Sequence, residues 1–374
     1  RLFTPDIPEK ATAETPVTCG ISGRPMIADP GLPNKVLWGC EEDIRPCLAC
    51  QVCLARLFRD AALTCMARPS SGHEGEPEWG YYGFPKVANP RKVLVAGAGI
   101  AGLQAAAIAA EKGHDVTIYE KTANLGGQFY YASRNPWGEG SDKYWDDQEF
   151  MRMVNYLKTK CDKFGAKFVL NTPVTKELIQ KENPDSVVIA TGAVADVPNI
   201  PGVDKPHIVS MFDVFTGKAK IGKNVVIVGG SGAAVSLALF VLDTLEKEGI
   251  KDYSVAMVDP AARFGADVNP SYIWRYRLRL TRGKVKQLTF GQIKEITDTG
   301  VVASWAIVDR KTKERTEFKD EVVPADTVIL AKLIPNKELG YGVTKADTSI
   351  IGDCVKVRRG IDAIQDGYRL GMRF

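Results

Sequence analysis

Residues 92–103 read Lys92-Val-Leu-Val-Ala-Gly97-Ala-Gly99-Ile-Ala-Gly102-Leu103. An unbroken apolar run enters G-x-G-x-x-G, and an Ala-rich apolar stretch continues to Ala110. An apolar run without alternation reads as a strand buried on both faces, and the glycines read as a tight turn into a helix. That context is what gives the motif its meaning. Gly97 permits the turn, Gly99 lets backbone approach a pyrophosphate, and Gly102 lets the helix pack on the strand. The helix N-terminus offers N–H groups and the positive end of a dipole to phosphate. Glu120 ends the next strand, 21 residues after Gly99, with Lys121 behind it. An acid there bonds ribose hydroxyls. Lys92–Glu120 is therefore expected to be a βαβ unit that binds a dinucleotide or ADP.

The same order returns over Asn224–Asp259. Here Val225-Val-Ile-Val-Gly229-Gly-Ser231-Gly-Ala-Ala234 gives G-x-S-x-x-A. Ala is allowed at the third position. Ser231 adds a side chain where backbone should meet pyrophosphate. Asp259 could bind a ribose 2′-hydroxyl, and Arg263 could suit a 2′-phosphate. NAD(P)H binding stays open here, against a domain that keeps its fold and has lost its ligand. Val93–Ala110 and Val225–Leu242 each lack charge for 18 residues, the length of a membrane-span candidate. A glycine cluster soon after the start of each makes strand, turn and helix the better reading, so no membrane span is expected.

The rest of the chain is read more coarsely. Val17–Ile21 is strand-like, Asp29–Asn34 a Pro/Gly loop, and a short helix starts near Lys35. Pro69–Pro90 reads as a linker. Glu149–Phe164 has helical periodicity, and Val187–Ala190 looks like a buried strand. Val285–Thr289, Val301–Ile307 and Thr316–Val323 alternate like antiparallel strands. Thr327–Leu330 is another buried strand, and Ile361–Met372 a final helix. The 374 residues suggest two or three domains. The chain is 45% hydrophobic and 25% charged, which excludes a mostly disordered polymer. Lys+Arg (49) nearly balance Asp+Glu (45) without a long basic run, so nucleic acid is not suggested.

Four of the eight cysteines fall between 47 and 65, as Cys47-Leu-Ala-Cys50-Gln-Val-Cys53, then Cys65. Without a secretion signal, such a group points to metal rather than disulfides, and to a cytoplasmic setting. Three thiolates so close in sequence can converge only if the backbone wraps one small object, which suits a [4Fe–4S] cluster. Structural zinc prefers two separated pairs. Plain buried cysteines are the third alternative. Cys19, Cys40, Cys161 and Cys354 have no spacing partners and read as structural.

Gly126-Gly127-Gln128 after Glu120, Ala190-Thr191-Gly192-Ala193 after a strand, and Ile351-Gly352-Asp353 near the end resemble flavoproteins of the glutathione-reductase type. In that resemblance the first site takes FAD, Gly352 and Asp353 contact the ribityl chain, and the helix through Ala363 points at the flavin ring. The full order is C-x2-C-x2-C-x11-C, G-x-G-x-x-G, a second βαβ unit, then Gly-Asp. It resembles the C-terminal part of old-yellow-enzyme-like iron–sulfur flavoproteins: trimethylamine dehydrogenase, N-methyl demethylases and 2,4-dienoyl-CoA reductases.

Gly23-Arg24-Pro25 through Pro46-Cys47 then looks like the end of that family's TIM barrel, with Arg24 at an FMN phosphate. The resemblance implies a metal set of Cys47, Cys50, Cys53 and Cys65. It implies an adenine-cofactor set of Gly97, Gly99, Gly102, Glu120, Lys121, Gly127, Gln128, Thr191, Gly192, Gly352, Asp353 and Ala363. No catalytic residue can be placed on this chain.

The expected fold class is α/β, with two dinucleotide-binding, glutathione-reductase-like domains behind an iron–sulfur segment and a barrel tail. The expected divisions are 1–45 (barrel end), 46–86 (cluster and linker), 87–204 (FAD domain, first part), 205–340 (NAD(P)-like domain) and 341–374 (FAD domain, second part). The expected function is electron transfer between a barrel FMN, a [4Fe–4S] centre, and FAD (or ADP in its place) or an electron-transferring flavoprotein. The FMN barrel would come from the same polypeptide or a separate subunit, and the assembly would be oligomeric. The two-residue gap before the third cysteine and the altered second glycine motif lean towards the amine-dehydrogenase or demethylase branch. An NAD(P)H-dependent enoate or dienoyl-CoA reductase part, and a zinc- and ADP-binding structural subunit, are the alternatives.

Overall fold

The computed structural model describes residues 6–16, 23–134, 149–309, 311–340, 342 and 345–374. The expected strand over Val17–Ile21 lies outside them. The described residues divide into two compact units, one holding those within 6–133, 149–193 and 335–374 and the other holding residue 134 and those within 194–334.

In the first unit the strand Lys92–Ala96 is buried from Val93 onward, as a two-sided parallel strand must be. It pairs in parallel with Asp115–Tyr119 on one side and Ser186–Ile189 on the other. Lys167–Val169 and Asp347–Ile350 complete a five-stranded parallel sheet at its edges. The helix Ile100–Glu111 has every residue buried. Its small Gly and Ala side chains let two helices close on it, Glu149–Lys163 and Gly360–Arg373. The final helix thus belongs to the same unit as the first glycine turn, although residues 194–334 intervene.

The second unit repeats that sheet. Its order is Ile208–Ser210, Thr327–Leu330, Asn224–Val228, Ser254–Val258 and Lys286–Leu288, all parallel. The helix Gly232–Lys247 follows its glycine turn. Both charge-free windows are therefore strand plus helix. Among the described residues no helix is long and apolar enough to cross a membrane.

Two local expectations are corrected. Lys286–Leu288 is not antiparallel. It is the parallel edge strand beside Ser254–Val258, because the helix Pro270–Arg282 provides the crossover that parallel pairing needs. Its place in the antiparallel sheet is taken by Gln292–Ile296, which pairs with Gly300–Val308, itself paired with Arg315–Pro324. The short helix expected from Lys35 is Leu32–Leu37, begun by a proline in its first turn where a missing N–H costs nothing.

Candidate functional site

The first glycine turn is shaped by close contact. Gly97 has φ +107°, and a Cβ there would stand 2.4 Å from the Ala190 carbonyl oxygen. A Cβ on Gly102 would stand 2.1 Å from the Gly97 carbonyl oxygen, so helix and strand touch through hydrogen alone. Gly99 differs: nothing lies within 4 Å of where its Cβ would be. It is the helix N-cap, and among the described residues no side chain caps the helix. The open face and the uncapped N–H groups suit an anion.

Glu120 is buried beside this turn. Its Oε2 accepts from the Ala98 N–H at 3.0 Å, and its Oε1 accepts from the Thr122 N–H and hydroxyl, each at 3.0 Å. The carboxylate is thereby fixed at the strand end with acceptor capacity to spare. The chain then returns over the turn. The Gly126 N–H donates to the Ala98 carbonyl at 2.8 Å, and a Cβ on Gly127 would lie 3.1 Å from Gly99 Cα. The Gln128 amide donates to Asp353 Oδ2 at 2.6 Å, and the Arg358 N–H to Asp353 Oδ1 at 3.0 Å. Burial pushes the Asp353 carboxyl pKa up, more than these hydrogen bonds lower it.

Gly352 has φ +73°, and a Cβ there would stand 3.0 Å from the Ala101 methyl. The Gly192 carbonyl accepts from the Asn336 N–H at 2.9 Å, and the Thr191 hydroxyl reaches the Asn336 carbonyl at 3.5 Å. Ala363 is buried in the first turn of Gly360–Arg373. Lys121 is exposed. The expected adenine-cofactor residues thus share one unit, and Gln128 with Asp353 are in direct contact.

Cys47, Cys50, Cys53 and Cys65 form no disulfide and together line a small hollow with Arg24, Ile27, Leu48, Gln51, Met66 and Ala67. Left-handed backbone at Ala49 (φ +50°) and Gln51 (φ +54°) bends the segment around it. Burial pushes the Cys47, Cys50 and Cys65 thiols up, and for each the nearness of another cysteine adds to the rise. Thiolates in such a place need a positively charged group to hold them.

A single zinc ion would draw its sulfurs to about 2.3 Å from one point. Among the described residues no three His, Cys, Asp or Glu side chains are so gathered. A cubane stands its ligands further apart, because iron and sulfide lie between them, and four cysteines lining one hollow are the donor set that it takes. Arg24 sits on the helix Gly23–Ala28, and its Nη1 is buried with no hydrogen-bond partner among the described residues.

At the second turn Ser231 caps its helix, with its hydroxyl accepting from the Ala234 N–H at 3.4 Å. Asp259 Oδ1 accepts from the Ala261 N–H at 2.8 Å. Arg263 is exposed. Sequence reasoning missed three residues around the turns: Thr122, which fixes Glu120, and Phe264 and Asp267, which cover the second turn. A signal for the last two was present. Gly126 follows Glu120 by six residues, and Gly265 follows Asp259 by six, so the return loops align.

A family model described as pyridine nucleotide-disulphide oxidoreductase matches residues 91–359. The chain belongs to that family. A metal reductase of Desulforamulus reducens is 31% identical, over 100% of this chain and 57% of that protein. A probable N-methylproline demethylase of Rhizobium meliloti is 33% identical, over 97% of this chain and 55% of its own length. A solved structure of a 2-naphthoyl-CoA reductase complex superposes with TM-score 0.84 at 33% identity, covering 100% of this chain and 53% of that one. The chain spans about half the length of the curated relatives it matches. The kinship with old-yellow-enzyme-like flavoproteins holds, and this chain corresponds to their C-terminal part. It is related to oxidoreductases, both reductases and demethylases.

Proposed function

We propose that this chain is the electron-transfer part of an iron–sulfur flavoprotein, of the amine-dehydrogenase or N-methyl-demethylase branch. One observation carries the reading. Cys50 and Cys65 pack on the same apolar core as Val93, Val95, Ala98 and Ile100 of the first dinucleotide turn. The cysteine segment and the adenine-cofactor turn are thus parts of one unit, and Met66, next to Cys65, reaches within 3.7 Å of the Cβ position of Gly360 at the start of the final helix.

Cys47, Cys50, Cys53 and Cys65 would hold a [4Fe–4S] cluster. Gly97, Gly99 and Gly102 with the uncapped end of Ile100–Glu111 would hold the pyrophosphate of FAD, or of ADP in its place. Glu120 would accept from ribose hydroxyls, with Lys121 beside it, and Gly127, Gln128, Thr191, Gly192, Gly352, Asp353 and Ala363 would line the flavin end. When bound, the cluster exchanges single electrons and the flavin converts between one- and two-electron traffic. The orphaned Arg24 Nη1 is suited to an FMN phosphate on a barrel part, supplied by the same polypeptide or another subunit. An electron-transferring flavoprotein would be the acceptor, in an oligomeric, cytoplasmic enzyme.

The test is chemical. Anaerobically purified protein should carry about four irons and four sulfides per chain, and Cys53→Ser should lose most of both with its secondary structure unchanged. Colourless wild-type protein free of iron and sulfide would overturn the reading. An NAD(P)H-fed enoate or acyl-CoA reductase part is a second reading, favoured by the reductases among the relatives. Anaerobic bleaching of the flavin by NADH or NADPH would decide for it.

A further inference from the structure

The second glycine turn is covered by its own chain. The return loop leaves Asp259 and the Gly265 N–H donates to the Gly230 carbonyl at 2.7 Å. It is the counterpart of the Gly126-to-Ala98 bond at the first turn. From there the two loops part. Phe264 is buried against the turn, with its Cδ1 2.9 Å from the Cβ position of Gly230, and Asp259 Cβ is equally near. Three residues on from Phe264, Asp267 Oδ1 accepts from the Gly232 N–H at 2.7 Å.

Gly232 is the first residue of the helix Gly232–Lys247, so its N–H is one of the groups a pyrophosphate would take. A carboxylate already stands there. A dinucleotide would lose that donor and meet a negative charge where its own must lie. The Ser231 hydroxyl, meanwhile, is turned to the Ala234 N–H. At the first turn the corresponding helix start, Ile100, follows Gly99 with no side-chain cap.

We infer that Asp267 is a built-in anion that closes the second dinucleotide turn, so that this unit does not take the pyrophosphate of a pyridine dinucleotide while the Asp267–Gly232 bond stands. The inference rests on reading the second unit as a dinucleotide-type domain. It does not rest on the cluster or on the flavin.

The test is binding of NADH and NADPH to the full chain loaded with its adenine cofactor, read from nicotinamide fluorescence, for wild type, Asp267→Gly and Asp267→Asn. Wild type should bind neither at millimolar concentration. Asp267→Gly should bind at least about tenfold more tightly, the scale of one charge-assisted hydrogen bond. Asp267→Asn, which keeps the shape and removes the charge, should fall between. It also guards against a fold effect of the added glycine, since circular dichroism of the asparagine variant should match wild type. Equal micromolar binding by wild type and both variants would overturn the inference. Absence of binding in all three proteins would overturn it as well, because the exclusion would then lie elsewhere. Iron content is untouched by any of these outcomes, so loss of the electron-transfer reading would be seen separately.

Discussion

Eight residues beyond the strand-ending acid, the first unit carries Gln128 and the second carries Asp267. Gln128 reaches away to Asp353, whereas Asp267 turns back onto Gly232. The skeletons around them agree. Both sheets run parallel, with the strand of the glycine turn central and the next two strands laid in order on one side of it, and both return loops close through one backbone hydrogen bond from a glycine N–H. The fold is therefore kept by backbone groups and small residues, whereas Asp267 would decide the second turn's openness to a ligand by the way its side chain points. A dinucleotide-type fold shows where phosphate could bind, and the side chains over the turn show whether it can.

That comparison can be broken at several points. The largest effect is expected at the third motif position. Gly102→Val places side-chain atoms against the Gly97 carbonyl, and it should cost about 3 kcal/mol or more and release the cofactor. Ala234→Gly, its counterpart, should cost only about 1 kcal/mol. Urea midpoints by circular dichroism check both. Next comes the acid. Glu120→Ala removes a carboxylate that accepts three hydrogen bonds and should weaken ADP binding about tenfold to a hundredfold. Asp259→Ala should leave it unchanged. Calorimetric titration of both variants with ADP separates the two turns.

Asp353 gives a pH signature confined to the first unit. Its pKa is raised by burial in the folded state, so its contribution to stability is fully present below the usual aspartate value of 3.8 and is lost as pH rises through the raised value. Asp353→Asn should therefore gain in Tm relative to wild type as pH rises from 3 towards 7, a range set around that ordinary carboxylate value. A difference independent of pH would contradict this. The smallest effect is expected at Thr122→Val, which removes one hydroxyl hydrogen bond to Glu120 and should cost about 1 kcal/mol in thermal or chemical unfolding.

The amount legible in the sequence follows from the physics of each part. Both βαβ units were readable, because buried parallel strands and glycine turns leave local marks: Val93–Ala96 and Val225–Ile227 are almost wholly buried. The gathering of Gln128 with Asp353 could be anticipated only through family resemblance, since 225 residues separate them. Lys286–Leu288 was misread because its short alternation is the same in either pairing direction, and the crossover helix before it settles the direction. Asp267 is only half legible: the six-residue spacing of Gly265 marks the return loop, but not which of its side chains folds back on a turn 35 positions earlier. The four cysteines stood out by spacing alone, yet the left-handed residues Ala49 and Gln51 that wrap their segment carry no such signal.

The most direct test of the whole account is a crystal structure of the anaerobically purified protein soaked with NADH. The account predicts iron–sulfur density bounded by Cys47, Cys50, Cys53 and Cys65, an adenine nucleotide lying along Gly99, and Asp267 still on Gly232. An empty cysteine hollow, or a nucleotide seated over Gly232, would contradict it.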